Sequence, residues 1–299
     1  MSDTLHRPPR TFDLALPHGI TLACRSNGAG RPDALLLHGF PEAAFAWDEV
    51  LSLLAGRVHA VAPNLRGYPG SSAPAALQAY RAKSLVADVA AAIEALGAPL
   101  PLLVAHDWGG ALAWNLAAAR PDLIRHLLII NSPHPAAFLR ELRDNPAQQA
   151  ASAYMNFLCR PDAERRLAER DYARLWPFFG GAAWLTPAVR AHYRAAWGQD
   201  GAGLRGPLNY YRASPLRPAT APGDTLHTLS LPDAAVTVRV PTTVLWGEGD
   251  KALLPGLLQG LSRWVPALRL QRLPAATHWV VHEEPARVAA LIAELVAAA

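Results

Sequence analysis

Three side chains of this 299-residue chain, Asp107, Asp250 and His278, could do chemistry together, each just beyond a short apolar run. Two carboxylates and an imidazole, in the chain order nucleophile, acid, histidine, can divide a two-step covalent reaction. One carboxylate attacks an electrophilic carbon, and the histidine, oriented by the other acid, activates the water that releases the adduct. A carboxylate nucleophile makes an alkyl ester with its substrate, not an acyl-enzyme. Residue types alone carry little weight, because one Asp and one His in loops are common. The surroundings decide.

Asp107 lies in Val104-Ala105-His106-Asp107-Trp108-Gly109-Gly110, after the apolar run Leu100 to Ala105 and before the helix-forming stretch Ala111 to Ala117. This reads as strand, tight turn and helix, with residue 107 raised above the sheet edge and backbone N–H groups of a helix N-terminus beside it. Gly109 and Gly110 let the helix pass close to the strand, where a Cβ would clash.

The positioning elements follow from the apolar pattern. Strands are expected at Ile20 to Cys24, Ala34 to Leu37, Val58 to Ala62, Leu100 to Ala105 and Leu127 to Ile130. A short helix is expected around Trp47 to Leu54. Leu85, Val89, Ile93 and Leu96 mark a longer one that Gly97 ends. Repeated strand–loop–helix units imply a parallel sheet with right-handed crossovers. From about Pro133 to Asp233 the alternation stops and aromatics, prolines and arginines become dense, as in a helical insertion over the sheet. Strands resume at Thr242 to Trp246 and Leu268 to Leu273, with a final helix from Pro285 carrying Val288, Leu291, Ile292, Leu295 and Val296 on one face. The expected division is a core of 1–132 and 234–299 with a helical cap of 133–233.

Composition narrows the function classes. Half the residues are apolar (51%) and 17% are charged, which suits a core-building globular protein. The net charge of +4 is mild and the arginines are scattered, so no nucleic-acid partner is expected. Cys24 and Cys159 offer neither a disulfide framework nor a metal spacing, and no metal is expected. Met1 to Pro9 does not read as a signal peptide, and no apolar run has the ~18 residues of a membrane span. The expected setting is soluble and cytoplasmic, without a membrane partner; the assembly is open, a homodimer included.

Five segments together resemble the soluble-type epoxide hydrolases of the α/β-hydrolase superfamily: His38-Gly39-Phe40-Pro41-Glu42, Arg66 to Ser72, His106 to Gly110, Gly203 to Arg212, and Thr277-His278-Trp279. The resemblance runs from about residue 10 to the end. It implies an α/β-hydrolase fold with the cap inserted after the sixth strand, and hydrolysis of a small-molecule epoxide to a diol without a cofactor. It implies Asp107 as nucleophile and His278 with Asp250 as the water-activating pair. Tyr211 and Tyr154 would be the cap tyrosines that protonate the epoxide oxygen, and the backbone N–H groups of Phe40 and Trp108 the oxyanion donors. His38, Pro41, Trp108, Tyr210 and Trp279 are expected at the substrate pocket. Some relatives carry the acid after the sixth strand. Here that neighbourhood holds Asn131, which cannot ionise, so Asp250 is preferred, with Glu248 as a lesser rival.

Other readings compete. His38 and His106 read as structural hydrogen-bonders around the loops in place of proton carriers, Glu42 as a loop anchor, His282 as a surface or pocket-rim residue. A haloalkane dehalogenase would share the Asp nucleophile and the following Trp, but resembles this chain less at Phe40, where such enzymes usually carry a halide-binding Asn. A haloacetate dehalogenase would place arginines where Trp108 and Ala111 stand. A non-catalytic receptor on the same fold would need no complete Asp–Asp–His set.

Overall fold

Residues 8–221 and 223–299 are described by a computed structural model. Residues 1–7, most of the stretch read above for a signal peptide, lie outside them. Eight strands form one sheet in the order β1-β2-β4-β3-β5-β6-β7-β8. They are β1 Arg10–Ala15, β2 Thr21–Ser26, β3 Ala34–Leu37, β4 Ala60–Pro63, β5 Leu100–His106, β6 Ile124–Ile130, β7 Thr242–Gly247 and β8 Leu268–Leu273. The β1–β2 and β2–β4 pairs are antiparallel, and the pairs from β4 to β8 are parallel. Strand β1 was not expected. Its sequence RTFDLA is polar at half its positions and largely exposed, yet Phe12 and Leu14 alternate with exposed neighbours and pack on the core, a period-two signal of an edge strand too short to stand out.

The continuous apolar runs place these strands inside the sheet, because alternate side chains feed opposite faces. Leu35, Leu37, Leu103, Ala105, Leu127 and Ile129 join the cluster on one face; Ala34, Leu36, Leu102, Val104, Leu128 and Ile130 join that on the other. Helix Ala82–Gly97 and helix Asp107–Ala119 cover the first face. Helix Asp48–Leu54 and helix Pro285–Ala297 cover the second. The last helix buries Val288, Leu291, Ile292 and Leu295, the stripe read from its spacing. Truncating a fully buried member such as Ile292 to Ala would cost about 2–5 kcal/mol.

Between Ile130 and Thr242 the described residues form helices and turns without a strand. Several contacts dock this insertion on the sheet loops. Gly206 meets Gly67 backbone to backbone: a Cβ at 206 would lie 2.2 Å from the Gly67 carbonyl oxygen. The Tyr210 hydroxyl donates to the Arg66 carbonyl at 2.9 Å and the Trp197 indole to the Pro41 carbonyl at 2.8 Å. The Tyr193 hydroxyl donates to Glu42 at 2.7 Å. No helix among the described residues is long and apolar enough to cross a membrane.

Candidate active site

The C-terminal ends of five adjacent parallel strands converge on one place, as open α/β sheets favour. Strand β5 ends at His106, and Asp107 opens the following helix with φ +49°. That left-handed backbone is costly for a side chain other than glycine, by about 1–2 kcal/mol, and persists only where neighbours enforce it. They do here. The Ser132 hydroxyl donates to the Asp107 carbonyl at 2.7 Å, and the Gly109 N–H to the His38 carbonyl at 3.0 Å. Close approaches around Asp107 need missing side chains. A Cβ on Gly109 would lie 2.6 Å from the His38 carbonyl oxygen, and one on Gly39 2.3 Å from the Asp107 side chain. The Phe40 N–H, from the loop after β3, donates to Asp107 Oδ1 at 2.7 Å.

The other two members come from the ends of β7 and β8. His278 Nε2 lies 3.7 Å from Asp107 Oδ2, and His278 Nδ1 lies 2.6 Å from Asp250 Oδ2. Asp250 is fully buried at its side chain yet accepts four hydrogen bonds. Oδ1 takes the backbone N–H groups of Ala252 (2.8 Å) and Leu253 (2.9 Å), and Oδ2 takes His278 and the Asn131 amide (2.9 Å). Burial alone would raise the Asp250 pKa. The nearby His278 charge and these hydrogen bonds outweigh it and hold the carboxyl below its ordinary range. For His278 burial favours the neutral ring, but the Asp250 charge and hydrogen bond, with smaller help from Asp107, raise it to about 9.

Over Asp107 stand two cap tyrosines. Tyr154 opens helix Tyr154–Leu158 and Tyr211 lies in helix Arg205–Ala213. Their rings meet edge to face at 6.3 Å, and Tyr211 packs against Phe40 (5.2 Å) and Trp108 (5.0 Å) in the same manner. Burial raises both phenol pKa values, helped by Asp107 and Asp250 at Tyr154 and by Tyr154 and Asp107 at Tyr211, so both hydroxyls are protonated at neutral pH. Asp107, Tyr154 and Tyr211 border two cavities at once. One arm is apolar, with Trp108, Phe138, Tyr210 and Leu231 among its walls; it encloses about 1100 Å³ including space open to solvent. The other carries Phe40, Phe178, His278 and Trp279, with Arg174 and Lys251 further out.

Not every expected residue joins them. Neither His38 nor Pro41 borders either cavity. His38 is buried, accepting the Leu65 N–H at 3.1 Å through Nε2 and donating to the Gly39 carbonyl at 3.0 Å through Nδ1; burial lowers its pKa to about 4. Pro41 turns its carbonyl to the Trp197 indole, so both serve loop geometry instead of the pocket wall. Glu248 is paired with Arg272 at 2.9 Å, away from His278. His282, read as a surface or rim residue, instead has a mostly covered side chain with its Nε2 2.6 Å from Glu42 Oε1, stacked on Trp184 at 4.1 Å. Glu42 joins that histidine to Tyr193 of the cap, while His106 Nε2 reaches the His278 carbonyl at 2.9 Å.

Two contributors went unrecognised in the sequence. Asn131 was weighed only as an acid that is missing, yet its amide braces Asp250 and accepts the Gly247 N–H at 2.8 Å. Ser132 was not singled out. The available signal was their place directly after β6, where the strand ends meet.

The chain is similar to known proteins over most of its length. The profile of the alpha/beta hydrolase fold family matches residues 35–285. The chain is 34% identical to the AB hydrolase superfamily protein YfhM of Bacillus subtilis, over 93% of this chain and 94% of that protein. It is 34% identical to Epoxide hydrolase 3 of Xenopus tropicalis, over 87% of this chain and 70% of that protein. A crystal structure of the Bacillus megaterium epoxide hydrolase in complex with an inhibitor superposes with a TM-score of 0.85 at 30% identity, covering 96% of this chain and all of that one. With an eight-stranded, mostly parallel sheet and relatives of this kind, the chain belongs to the α/β-hydrolase fold family and, within it, to the epoxide hydrolases.

Proposed function

We propose that this protein hydrolyses an epoxide to a vicinal diol through a covalent ester on Asp107. The carrying observation is that Asp107 faces the cap tyrosines Tyr154 and Tyr211 across a shared cavity, while His278, backed by Asp250, stands beside its Oδ2. An epoxide is strained but its oxygen leaves poorly, so attack and protonation must act together.

In the first step Oδ2, which carries no backbone donor, attacks a ring carbon. The C–O bond of the ring breaks, and its oxygen takes a proton from a tyrosine hydroxyl. The ester carbonyl oxygen is then Oδ1, already 2.7 Å from the Phe40 N–H. In the second step His278 removes a proton from water, whose oxygen bonds to the Asp107 carbonyl carbon. Negative charge develops on Oδ1 against the Phe40 and Trp108 N–H groups, each donor being worth roughly 3–4 kcal/mol of barrier. On collapse the ester C–O bond breaks and the departing diol oxygen takes back the proton held by His278. The other water proton passes from the Asp107 carboxyl to the tyrosinate left by the first step, and one water oxygen remains in Asp107.

Loss of the Asp107 charge on alkylation removes one of the interactions that keep the His278 ring protonated. The ester itself thereby moves His278 toward its basic form when a base is needed. The test pairs styrene oxide with a bromoalkane and assays diol and bromide. Diol without bromide is the expected result; bromide alone contradicts the reading. Replacing His278 by Gln should let the ester form and persist.

A further inference from the structure

Ser132 sits where β6 ends, 1% exposed, and its hydroxyl is committed to one acceptor, the carbonyl oxygen of Asp107 at 2.7 Å. That carbonyl belongs to the same planar peptide unit as the Trp108 N–H. Fixing the oxygen on one side of the plane fixes the direction of the N–H on the other. The unit needs fixing, because Asp107 is held at φ +49° and Trp108 lies in the first helical turn, where an N–H has no intrahelical acceptor.

Ser132 is itself held at both ends. Its carbonyl accepts the Trp114 indole N–H at 3.1 Å, from one helical turn beyond Gly110. Gly110 passes so close that a Cβ there would lie 2.3 Å from Ser132 Cβ and 2.5 Å from its hydroxyl oxygen. The second glycine of this strand–turn–helix elbow around Asp107 therefore admits Ser132 to the Asp107 peptide, in addition to letting the helix pass the strand. Donation to a carbonyl also polarises its amide, which strengthens the N–H as a donor.

We infer that Ser132 is a positioning residue for the second half-reaction: it aims the Trp108 N–H at the oxyanion formed when the Asp107 ester is hydrolysed. The inference rests on the covalent reading above and adds to it a residue that borders the apolar arm of the cavity but whose hydroxyl, spent on the Asp107 carbonyl, acts through that peptide and not on the reacting atoms. It separates the two steps. Oxyanion charge develops only during ester breakdown, so losing the hydroxyl slows breakdown and leaves ester formation nearly untouched.

The experiment mixes enzyme with styrene oxide, quenches at intervals, and follows the mass of the peptide bearing Asp107. In Ser132→Ala, breakdown is expected to fall roughly tenfold, less than the 10²–10³ typical of losing a donor outright. Formation should keep its rate, so the ester accumulates. Ser132→Cys, whose thiol is a weaker donor, should lie between, and covers the case of an alanine variant that folds poorly. Equal slowing of both steps, or unchanged breakdown in a folded alanine or cysteine variant, overturns the inference. Absence of any Asp107 ester in the unmodified enzyme and in His278→Gln would instead defeat the covalent reading beneath it.

Discussion

His278 Nδ1 and Asp250 Oδ2 lie 2.6 Å apart, and the other oxygen of that carboxylate is already taken by the Ala252 and Leu253 N–H groups. The acid is thus clamped so that a single face meets the imidazole. The clamp fixes which ring nitrogen carries a proton: Nδ1 donates, leaving Nε2 toward Asp107 and the water to be activated.

From this clamp follows the effect of Asp250→Asn. The amide oxygen would be drawn to the two backbone N–H groups, turning its NH₂ toward His278. The ring would then accept at Nδ1 and carry its proton on Nε2, the tautomer that cannot take one from water. Turnover should fall by about 10⁴-fold, as for the comparable change in Ser–His–Asp enzymes. The same NH₂ would face the Asn131 amide, whose oxygen is held by Gly247. A steady-state assay beside a thermal melt tests both effects; full activity would contradict the assignment of Asp250.

The pH dependence has a definite sign. In the free enzyme the His278 ring titrates near 9, which an NMR titration can read. Alkylation neutralises Asp107, one of the charges that raise this value, so the ring must titrate lower in the ester. Single-turnover breakdown of the ester should therefore rise with pH through a pKa below that of the free enzyme. An equal or higher value would contradict a charge link between Asp107 and His278.

Tyr210 and Tyr211 are adjacent in one helix and differ in use. The Tyr210 hydroxyl is spent on the Arg66 carbonyl, whereas Tyr211 stands over Asp107 with Tyr154. Tyr210→Phe should cost about 1 kcal/mol of stability through the lost hydrogen bond and spare most of the activity. Tyr211→Phe should keep the melting temperature and slow ring opening by about 10²-fold or more. A reversed pattern would exchange their roles.

Removing the brace on the acid gives a further check. Asn131 is fully buried and its side-chain amide makes three hydrogen bonds, to the Gly247 N–H and carbonyl and to Asp250. Asn131→Ala leaves those groups unpaired and should destabilise the fold by about 1–3 kcal/mol, measurable by urea unfolding. Unchanged stability would mean that the brace contributes nothing.

What could be read in advance followed local physics. Strand β8 and the helix from Pro285 were legible because their side chains repeat with a clear period, and the elbow because its glycines mark a close approach. What stayed hidden depends on residues distant in sequence. Strand β1 has only the short alternation of Phe12 and Leu14, and its pairing with β2 completes it. His282 is covered because it meets Glu42, 240 positions away, and Asn131 matters through Asp250, 119 positions on. His38 and Pro41 sit in a loop that shapes the site, but their own polar groups turn to Leu65, Gly39 and Trp197. A motif reports which loop is present, and only the packed chain reports which way each side chain faces.

The covalent ester on Asp107 is the centre of this account, and one measurement addresses it directly. A single turnover of excess enzyme with styrene oxide is run in water enriched in heavy oxygen, and both the diol and the Asp107 peptide are weighed. The account predicts an unlabelled diol, whose new oxygen came from Asp107, and one heavy oxygen in the Asp107 carboxylate. Label in the diol with none in Asp107 would mean that water attacks the epoxide directly, and would contradict it.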